Sequence, residues 1–156
     1  MTVFITGGAG FIGSNFAHYM SQYDVVILDK LTYAANMDNL YPLDFPVKGV
    51  DLAYKNRLEE LFNQYKPKFI FNFAAESHVD RSIKDPKPFF INNVLGTLNL
   101  VEAAYHYWKT LEKEKRSEFR FIHISTDEVF GSLEKFGKFK EDSQITPRSP
   151  YSASKA

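Results

Sequence analysis

The sequence predicts an α/β fold, a doubly wound parallel sheet with helices between its strands. Five short apolar runs are typical of buried strands, and segments with helical periodicity separate them. A glycine-rich turn at residues 6–13 joins the first run to the first helix. Strands that alternate with helices form parallel sheets, and right-handed crossovers bring their carboxyl ends to one edge, where ligands bind.

The first part of the chain contains three predicted strands. The apolar run at residues 3–5 precedes the glycine-rich turn, and residues 14–20 follow that turn with apolar side chains at helical spacing. The second strand, residues 25–28, ends in Asp29. After an irregular stretch that contains two prolines, residues 47–50 predict a short third strand.

The rest of the chain continues the same alternation. Helices are predicted where apolar side chains recur on one face, and strands where short apolar runs are flanked by polar or turn residues. A stretch rich in charge is expected to be an exposed turn. These elements are a helix at 54–65, a strand at 69–73, a helix at about 89–111, an exposed turn at 109–118, a strand at 119–124 and a helix beginning at Tyr151.

The glycines of the first turn match two related spacings. Gly8, Gly10 and Gly13 satisfy G-x-G-x-x-G, and Gly7 with the last two satisfies the wider G-x-x-G-x-x-G. Glycine has no Cβ, so the backbone can turn tightly and approach a pyrophosphate, which the amino end of the next helix would also attract. The turn between a strand and a helix therefore predicts a dinucleotide site in a Rossmann-type domain, rather than glycines that only shape a turn.

Asp29 strengthens this prediction. It lies 19 residues after Gly10, at the end of the second strand, where an acid that binds the adenosine ribose is expected. A carboxylate there would repel a 2′-phosphate, so NAD is favoured over NADP. The neighbouring Lys30 acts in the opposite sense, because a cation could accommodate that phosphate.

Composition excludes several classes of function. Lys and Arg total 19, as do Asp and Glu, so no net field favours nucleic acid or an anionic membrane. The chain has no cysteine, which excludes disulfides and thiolate metal sites, and its four scattered histidines give no metal signature, so we predict no metal. The first strand begins too early for a signal peptide, and no apolar run is long enough for a membrane span. We expect a soluble, cytoplasmic protein.

Two groups of residues could carry chemistry. Tyr151 and Lys155 lie four residues apart, on one face of the last predicted helix. A nearby ammonium is expected to lower the pKa of the tyrosine, which could then take a proton from an alcohol as hydride leaves its carbon. Asp127 and Glu128 follow the fifth strand as adjacent carboxylates that could donate and accept protons when water is removed. The alternative is a solvated acidic loop.

These motifs together resemble the extended short-chain dehydrogenase/reductase family. The resemblance rests on residues 6–13, Asp29, residues 93–97, Ser125 with Thr126, and residues 151–155. The runs at 29–34, 74–82 and 123–129 narrow it to the nucleotide-sugar 4,6-dehydratases of that family, because the related epimerases usually lack the acidic pair. The resemblance extends over the whole chain.

The resemblance implies an NAD-dependent lyase. It would convert dTDP-glucose, or a related nucleotide sugar, into a 4-keto-6-deoxy sugar, a precursor of deoxysugars such as rhamnose. The alternatives are a sugar-nucleotide 4-epimerase, a dehydratase for another nucleotide sugar, and a non-catalytic NAD-binding module. The family also implies a homodimer, held by a bundle of the helix at 89–111 and the helix that carries Tyr151.

The resemblance also implies a role for individual residues. Tyr151 would be the base at C4, Glu128 would remove the C5 proton, Asp127 would protonate the departing C6 hydroxyl, and Lys155 would hold the nicotinamide ribose. Thr126 would bind the C4 hydroxyl, and Ser77 would also contact the substrate. The implied cofactor positions are Gly7, Gly10, Phe11, Ile12, Gly13, Asp29, Lys30, Leu31, Thr32, Asp51, Leu52, Phe73, Ala74, Ala75, Glu76, Ser77, Asn92 (where the family often has threonine), Tyr151 and Lys155.

The length of the chain departs from the family pattern. Family members continue beyond the catalytic lysine into further strands and a smaller carboxyl-terminal domain that grips the nucleotide. We therefore expect residues 1–156 to be a truncated NAD-binding domain without the substrate domain. We also expect this chain to be inactive by itself.

Overall fold

The computed structural model describes residues 1–133 and 136–156, and it confirms the predicted parallel sheet. Five strands lie in the order β3-β2-β1-β4-β5, and every neighbouring pair is parallel. Each strand lies within or close to a predicted apolar run. The strands are β1 (Thr2–Thr6), β2 (Asp24–Asp29), β3 (Val47–Gly49), β4 (Phe69–Asn72) and β5 (Arg120–His123).

The strand order places a switch point between β1 and β4. From β1 the chain builds outward through β2 to β3, and it then crosses to the other side of β1 to add β4 and β5. The loops after β1 and β4 therefore leave the sheet in opposite directions. Open α/β sheets bind ligands at the carboxyl ends of the strands at such a point, here beside the paired residues Thr6 and Asn72.

The helices agree with the prediction in part. Those after β1 and β3 form where the periodicity predicts them, whereas the long helix expected at about 89–111 has three segments. Its middle segment, Phe90–Leu95, is π-helical. The α-helices are α1 (Phe11–Tyr19), α2 (Lys55–Tyr65), α3 (Val79–Lys84), α4 (Lys87–Phe89), α5 (Gly96–Thr110), α6 (Lys113–Glu118) and α7 (Pro150–Lys155).

The charged stretch at 109–118 was expected to be a turn, and that prediction was wrong for most of its length. Its residues are mostly exposed, as charge predicts, but they form α6. The Nε of Arg116 donates to the carbonyl of Leu111 at 2.6 Å, and the indole of Trp108 donates to the carbonyl of Arg116 at 3.2 Å. These bonds, which span five and eight residues, hold the short helix against the end of α5, and its Lys, Glu and Arg residues favour a helix.

The chain divides into two compact units. The first contains Met1–Ala74 and Leu95–Ile124, and with them all five strands. The second contains Ala75–Val94 and Ser125–Ala156, and with them α3, α4 and α7. Among the described residues, no helix is both long and apolar enough to cross a membrane.

The core of the first unit has two layers, one on each face of the sheet. Phe4 and Ile70 point to the face that α2 and α5 cover, where Leu61 and Leu100 are fully buried. Neighbouring strand residues such as Ile5 point to the opposite face, which α1 covers. Successive side chains of a strand alternate between faces, and both faces here are apolar, so the sheet is doubly wound as predicted.

Candidate active site

The glycine turn in the first unit is shaped by two positions where only glycine fits. Gly7 has φ +66°, and a Cβ there would lie 2.7 Å from the backbone nitrogen of Ala74. A Cβ at Gly13 would lie 2.2 Å from the carbonyl oxygen of Gly7. At Gly10 a Cβ would meet only the Gly7 oxygen, at 3.3 Å. The fold therefore requires Gly7 and Gly13, whereas a Cβ at Gly10 would be crowded much less.

The amino end of α1 opens directly from this turn. Gly10 is the N-cap, and none of the described residues caps the helix with a side chain. The side chains of Phe11 and Ile12 are 80% and 63% exposed, so they leave the first turn uncovered. The backbone N–H groups of that turn and the helix dipole suit a diphosphate. The glycine cradle and this helix end fit a dinucleotide.

Asp29 is buried at the end of β2, and its carboxylate is held by two backbone groups. Oδ2 accepts the N–H of Ala9 at 2.9 Å, and Oδ1 accepts the N–H of Leu31 at 2.8 Å. Leu31 adopts φ 55° to make this bond. A carboxylate oxygen can accept two hydrogen bonds, so Asp29 keeps capacity for a ribose hydroxyl.

Lys30, the residue after Asp29, forms an ion pair with Asp51, which follows β3. Lys30 Nζ lies 2.7 Å from Asp51 Oδ2, and Asp51 Oδ1 accepts the N–H of Ala53 at 2.9 Å. Leu52 is buried in the core, so its side chain cannot face a ligand and only its backbone could. Thr32 is half-buried in the loop after β2. The structure thus gathers the predicted adenosine positions at the ends of β2 and β3.

Phe73 and Ala74 follow β4 at the switch point. The N–H of Phe73 donates to the carbonyl of Thr6 at 3.1 Å, and the N–H of Ala74 donates to Thr6 Oγ1 at 3.2 Å. The Thr6 hydroxyl donates in turn to Asn72, and both side chains are fully buried. Sequence reasoning missed these two positioning residues. Polar side chains at the ends of apolar strands were the only signal.

In the second unit, hydrogen bonds between Asn93 and Glu76 hold the segment of residues 75–77 in place. Asn93 is 2% exposed, and its Oδ1 accepts the Glu76 N–H at 2.8 Å. Its Nδ2 donates to the Glu76 carbonyl at 2.9 Å and to Ser154 Oγ at 2.8 Å. Sequence reasoning named Asn93 only within a motif and missed this function. The preceding Asn92, an implied cofactor contact, is half-buried.

Thr126 begins a short 3₁₀ helix that presents both acids. The helix spans Asp127–Phe130, and Thr126 Oγ1 accepts the N–H of Glu128 at 3.3 Å. Asp127 Oδ1 lies 3.5 Å from the same hydroxyl. Both carboxylates are exposed, and they project from successive residues of a tight turn. Each can therefore meet a different part of a ligand.

The tyrosine and the lysine lie on α7, which starts with a capping box of Ser149 and Ser152. Lys155 is 6% exposed, and its carbonyl accepts the Ser125 hydroxyl at 2.8 Å. Burial lowers the pKa of the Lys155 ammonium from 10.5 to about 8. The lysine is therefore still mainly charged at neutral pH.

Tyr151 differs from the expectation. Burial raises its pKa, and the nearby charges of Glu128 and Asp127 raise it further, while a hydrogen bond with Thr126 opposes them. The prediction that the phenol titrates toward neutral pH beside Lys155 was wrong for the protein alone. The same effects show that the second unit brings Tyr151 together with Thr126 and both acids.

Gly13→Ala and Gly10→Ala are expected to separate folding from ligand binding. The first places a methyl group against the Gly7 carbonyl and should lower the free energy of unfolding by about 1–3 kcal/mol. The second should unfold nearly as the unsubstituted chain does, yet bind NADH more weakly. Urea unfolding and NADH fluorescence measure the two effects. Equal stability of the two variants would contradict the crowding at Gly13.

Lys155→Met is expected to stabilise the chain more at pH 7 than at pH 10. The unfolded lysine titrates at about 10.5 and the folded one at about 8, so between these values the unfolded chain binds more protons and stability rises with pH. Below pH 8 the cost of burying the charge is fully present, at most about 3 kcal/mol. Urea unfolding at both pH values measures the difference.

The control for this experiment is Lys140→Met, which removes an exposed lysine of the same unit. It should change stability by less than about 0.5 kcal/mol at either pH. An equal gain from Lys155→Met at both pH values would show that the charge of Lys155 is not the cause.

Comparison with known proteins gives relatives over the whole chain. A profile of the family described as GDP-mannose 4,6 dehydratase matches residues 4–156. The dTDP-glucose 4,6-dehydratase of Xanthomonas campestris is 49% identical over 162 aligned residues, which cover 99% of this chain and 46% of that protein. The dTDP-glucose 4,6-dehydratase of Haemophilus influenzae is 45% identical and covers 100% of this chain and 48% of its own. The chain thus spans about half the length of these curated relatives.

Solved structures give the same result. The dTDP-glucose 4,6-dehydratase of Streptomyces venezuelae, solved with NAD, superposes with a TM-score of 0.85 at 38% identity over 99% of this chain and 48% of its own. The UDP-glucose 4-epimerase of Thermus thermophilus, also with NAD, gives 0.85 at 33% identity over 99% and 47%. The resemblance to extended short-chain dehydrogenases/reductases is confirmed. This chain belongs to the family of GDP-mannose 4,6 dehydratase.

Proposed function

We propose that this chain is the NAD-binding and catalytic half of a dTDP-glucose 4,6-dehydratase. The product would be dTDP-4-keto-6-deoxyglucose, with release of water. The observation that carries the proposal is the geometry of one cluster: Thr126 contacts Asp127 and the Glu128 N–H on a single 3₁₀ turn, and its side chain also hydrogen-bonds Tyr151. A dehydration needs an acid and a base in addition to the group that deprotonates the alcohol, and this cluster contains all three.

The cofactor positions support NAD. The diphosphate would lie on the first turn of α1, and Asp29 would accept a hydrogen bond from the adenosine ribose. Asn93 holds the peptide of Glu76, one of the implied cofactor positions, in a fixed conformation. When bound, NAD⁺ would supply a hydride acceptor for oxidation at C4, and its reduced form would supply the same hydride for C6.

The proton transfers belong to residues of the second unit. Tyr151 would take the proton of the C4 hydroxyl, with Thr126 bound to the same oxygen. Because burial and two carboxylates raise its pKa, Tyr151 needs added positive charge beside it to act as a base near neutral pH. Lys155, still mainly charged at that pH, would contribute part of this charge and hold the nicotinamide ribose.

Elimination of water follows from the ketone at C4, which acidifies the proton on C5. Glu128 would remove that proton, and Asp127 would protonate the departing hydroxyl on C6. Both carboxylates are exposed in the protein alone, so a bound sugar could reach them. Thr126 accepts the Glu128 N–H and lies beside Asp127, which would fix the two acids relative to the C4 oxygen.

The experiment uses a complemented enzyme, in which residues 1–156 are followed by the carboxyl-terminal half of the Xanthomonas campestris relative. It is incubated with dTDP-glucose and NAD⁺, and the product is identified by mass and by NMR. We expect loss of one water and a 4-keto-6-deoxy sugar. Recovery of unchanged dTDP-glucose from a folded, NAD-binding protein would overturn the proposal.

A 4-epimerase is the second candidate, because the epimerase of Thermus thermophilus superposes as well as the dehydratase of Streptomyces venezuelae does. The same incubation distinguishes the two reactions. An epimerase would yield the C4-inverted sugar without loss of mass, and UDP-glucose is included as an additional substrate. Inversion without water loss would favour this candidate.

A homodimer is expected in the complemented enzyme. The face of α5 predicted by periodicity carries Leu98, Val101 and Tyr105, and their side chains are 52%, 42% and 54% exposed. The opposite face packs in the core through Leu100 and Ala103. An apolar face left in solvent on a long helix suits a second copy. Light scattering should give a dimer, and Val101→Glu should give monomers; a monomer without the substitution would contradict this prediction.

A further inference from the structure

Three charged residues follow or end β2 and β3 in the first unit, and two of them form an ion pair. Asp29 is fixed by the N–H groups of Ala9 and Leu31, and Lys30 follows it directly in the chain. The ammonium of Lys30 is 2.7 Å from Asp51, whose other oxygen is fixed by the N–H of Ala53. The lysine that could accept a phosphate beside the ribose is therefore held by a carboxylate that the backbone orients.

We propose that Asp51 is a specificity-determining residue that excludes NADP by neutralising Lys30. The inference rests on the proposed binding of NAD, and it goes beyond the role of Asp29. Without Asp51, the negative charge of Asp29 would repel a 2′-phosphate, and the positive charge of Lys30 would offset that repulsion. With Asp51 the three groups carry a net negative charge, and Lys30 has an internal counterion.

The chemistry of the two cofactors makes this charge balance decisive. NADP differs from NAD by a phosphate on the adenosine ribose, which must be met by a cation if it is bound close to a carboxylate. A lysine is a mobile point charge on a flexible stem, so it can serve a phosphate if no other anion holds it. Binding of NADP would therefore require Lys30 to leave the half-buried carboxylate of Asp51.

A purely structural role for Asp51 is the alternative. In that case Asp51 would only shape the turn after β3 through the N–H of Ala53. Asn in place of Asp keeps an oxygen for that bond and has the same size, but it removes the charge. Asp51→Asn therefore separates the two roles.

The test measures dissociation constants of NADH and NADPH for the 156-residue chain by the fluorescence of the reduced nicotinamide. The variants are Asp51→Asn, Lys30→Gln and the double variant, with Asp44→Asn as a control that makes the same charge change at an exposed carboxylate outside the ion pair. Asp51→Asn should raise the affinity for NADPH relative to that for NADH by about tenfold, the order expected for one charge near a phosphate. This gain should shrink as salt is raised.

Lys30→Gln tests independently the direction in which NADPH affinity changes. It leaves two carboxylates without the lysine, so the affinity for NADPH should fall further relative to that for NADH. In the double variant, the gain in NADPH affinity from Asp51→Asn should disappear. An unchanged NADPH-to-NADH ratio in Asp51→Asn, or an equal change in Asp44→Asn, would overturn the inference and leave NAD binding intact. Failure of the unsubstituted chain to bind NADH would overturn both the inference and the cofactor assignment.

Discussion

Asp127→Asn and Glu128→Gln are each expected to lower the rate of dehydration by the complemented enzyme by about 10²–10⁴-fold. Each substitution keeps the size of the side chain and removes its capacity to transfer a proton. Both residues are exposed on a short 3₁₀ turn, so neither change should disturb packing. Product formation under saturating dTDP-glucose, with NADH affinity measured in parallel, checks the prediction.

The two variants should differ in the step that they block. Without the base at Glu128, the C5 proton should stay on the sugar, so solvent deuterium should not enter at C5. Without the acid at Asp127, that exchange can continue while water is retained. Glu141→Gln serves as the control, because it neutralises an exposed acid in the same unit and should leave the rate unchanged. Full activity in both variants would place the acid and base elsewhere.

The same substitutions should change the titration of Tyr151. Both carboxylates raise the pKa of the phenol, so replacing either one should lower that pKa. The chain has nine tyrosines, so the phenolate absorbance is titrated with and without Tyr151→Phe, and the difference measures this effect without any turnover. A Tyr151 pKa that does not move would show that the acids are too distant to act on the phenol.

The sheet could be predicted mainly because β1 and β2, in its middle, are short apolar runs buried on both faces. Val25 to Leu28 alternate between two cores, so every position must be apolar, and the run stands out from its polar neighbours. The glycine turn could be predicted for a related reason. Gly7 has a positive φ and Gly13 has no room for a Cβ, so the constraint is recorded in the residue type itself.

The helices that were missed are either too short to show a period or depend on contacts with residues distant in the sequence. The segments α3 and α6 have six residues each, too few to show a period or to be stable alone. The π-helical turn at Phe90–Leu95 places Asn93 so that it bonds Glu76 and Ser154, which lie 17 and 61 residues away in sequence. Distant partners of this kind cannot be deduced from spacing.

The pKa shifts of the site also could not be predicted from the sequence. The spacing of Tyr151 and Lys155 suggests a lysine that lowers the pKa of the tyrosine. In the structure burial dominates both residues: it raises the pKa of the phenol and lowers that of the ammonium. Burial depends on which segments cover α7, and it cannot be read from the four-residue interval between the two residues.

The 156-residue chain alone is expected to turn over dTDP-glucose at least about 10⁵-fold more slowly than the complemented enzyme, while it retains affinity for NADH. The proposed phosphate, ribose and acid–base positions all lie in this chain, which corresponds to about half of its relatives. The proposal assigns none of the described residues to the nucleotide of the substrate. Without those contacts the sugar is not held in position, and fixed orientation of reactants accounts for effective molarities of about 10⁵–10⁸ M.

The expected cause of this low turnover is that the substrate is not held in position, rather than that α7 unfolds. The helix α7 is held by its capping box, by the bond from Asn93 to Ser154 and by the bond from Ser125 to the Lys155 carbonyl. Saturating the chain with NAD⁺ and raising dTDP-glucose should therefore give a rate that stays proportional to sugar concentration, because no nucleotide site saturates. NADH fluorescence on the same sample verifies that the cofactor site is intact. Saturable turnover at a rate close to that of the complemented enzyme would show that residues 1–156 bind the nucleotide of the sugar themselves, and our assignment of roles along the chain would then be wrong.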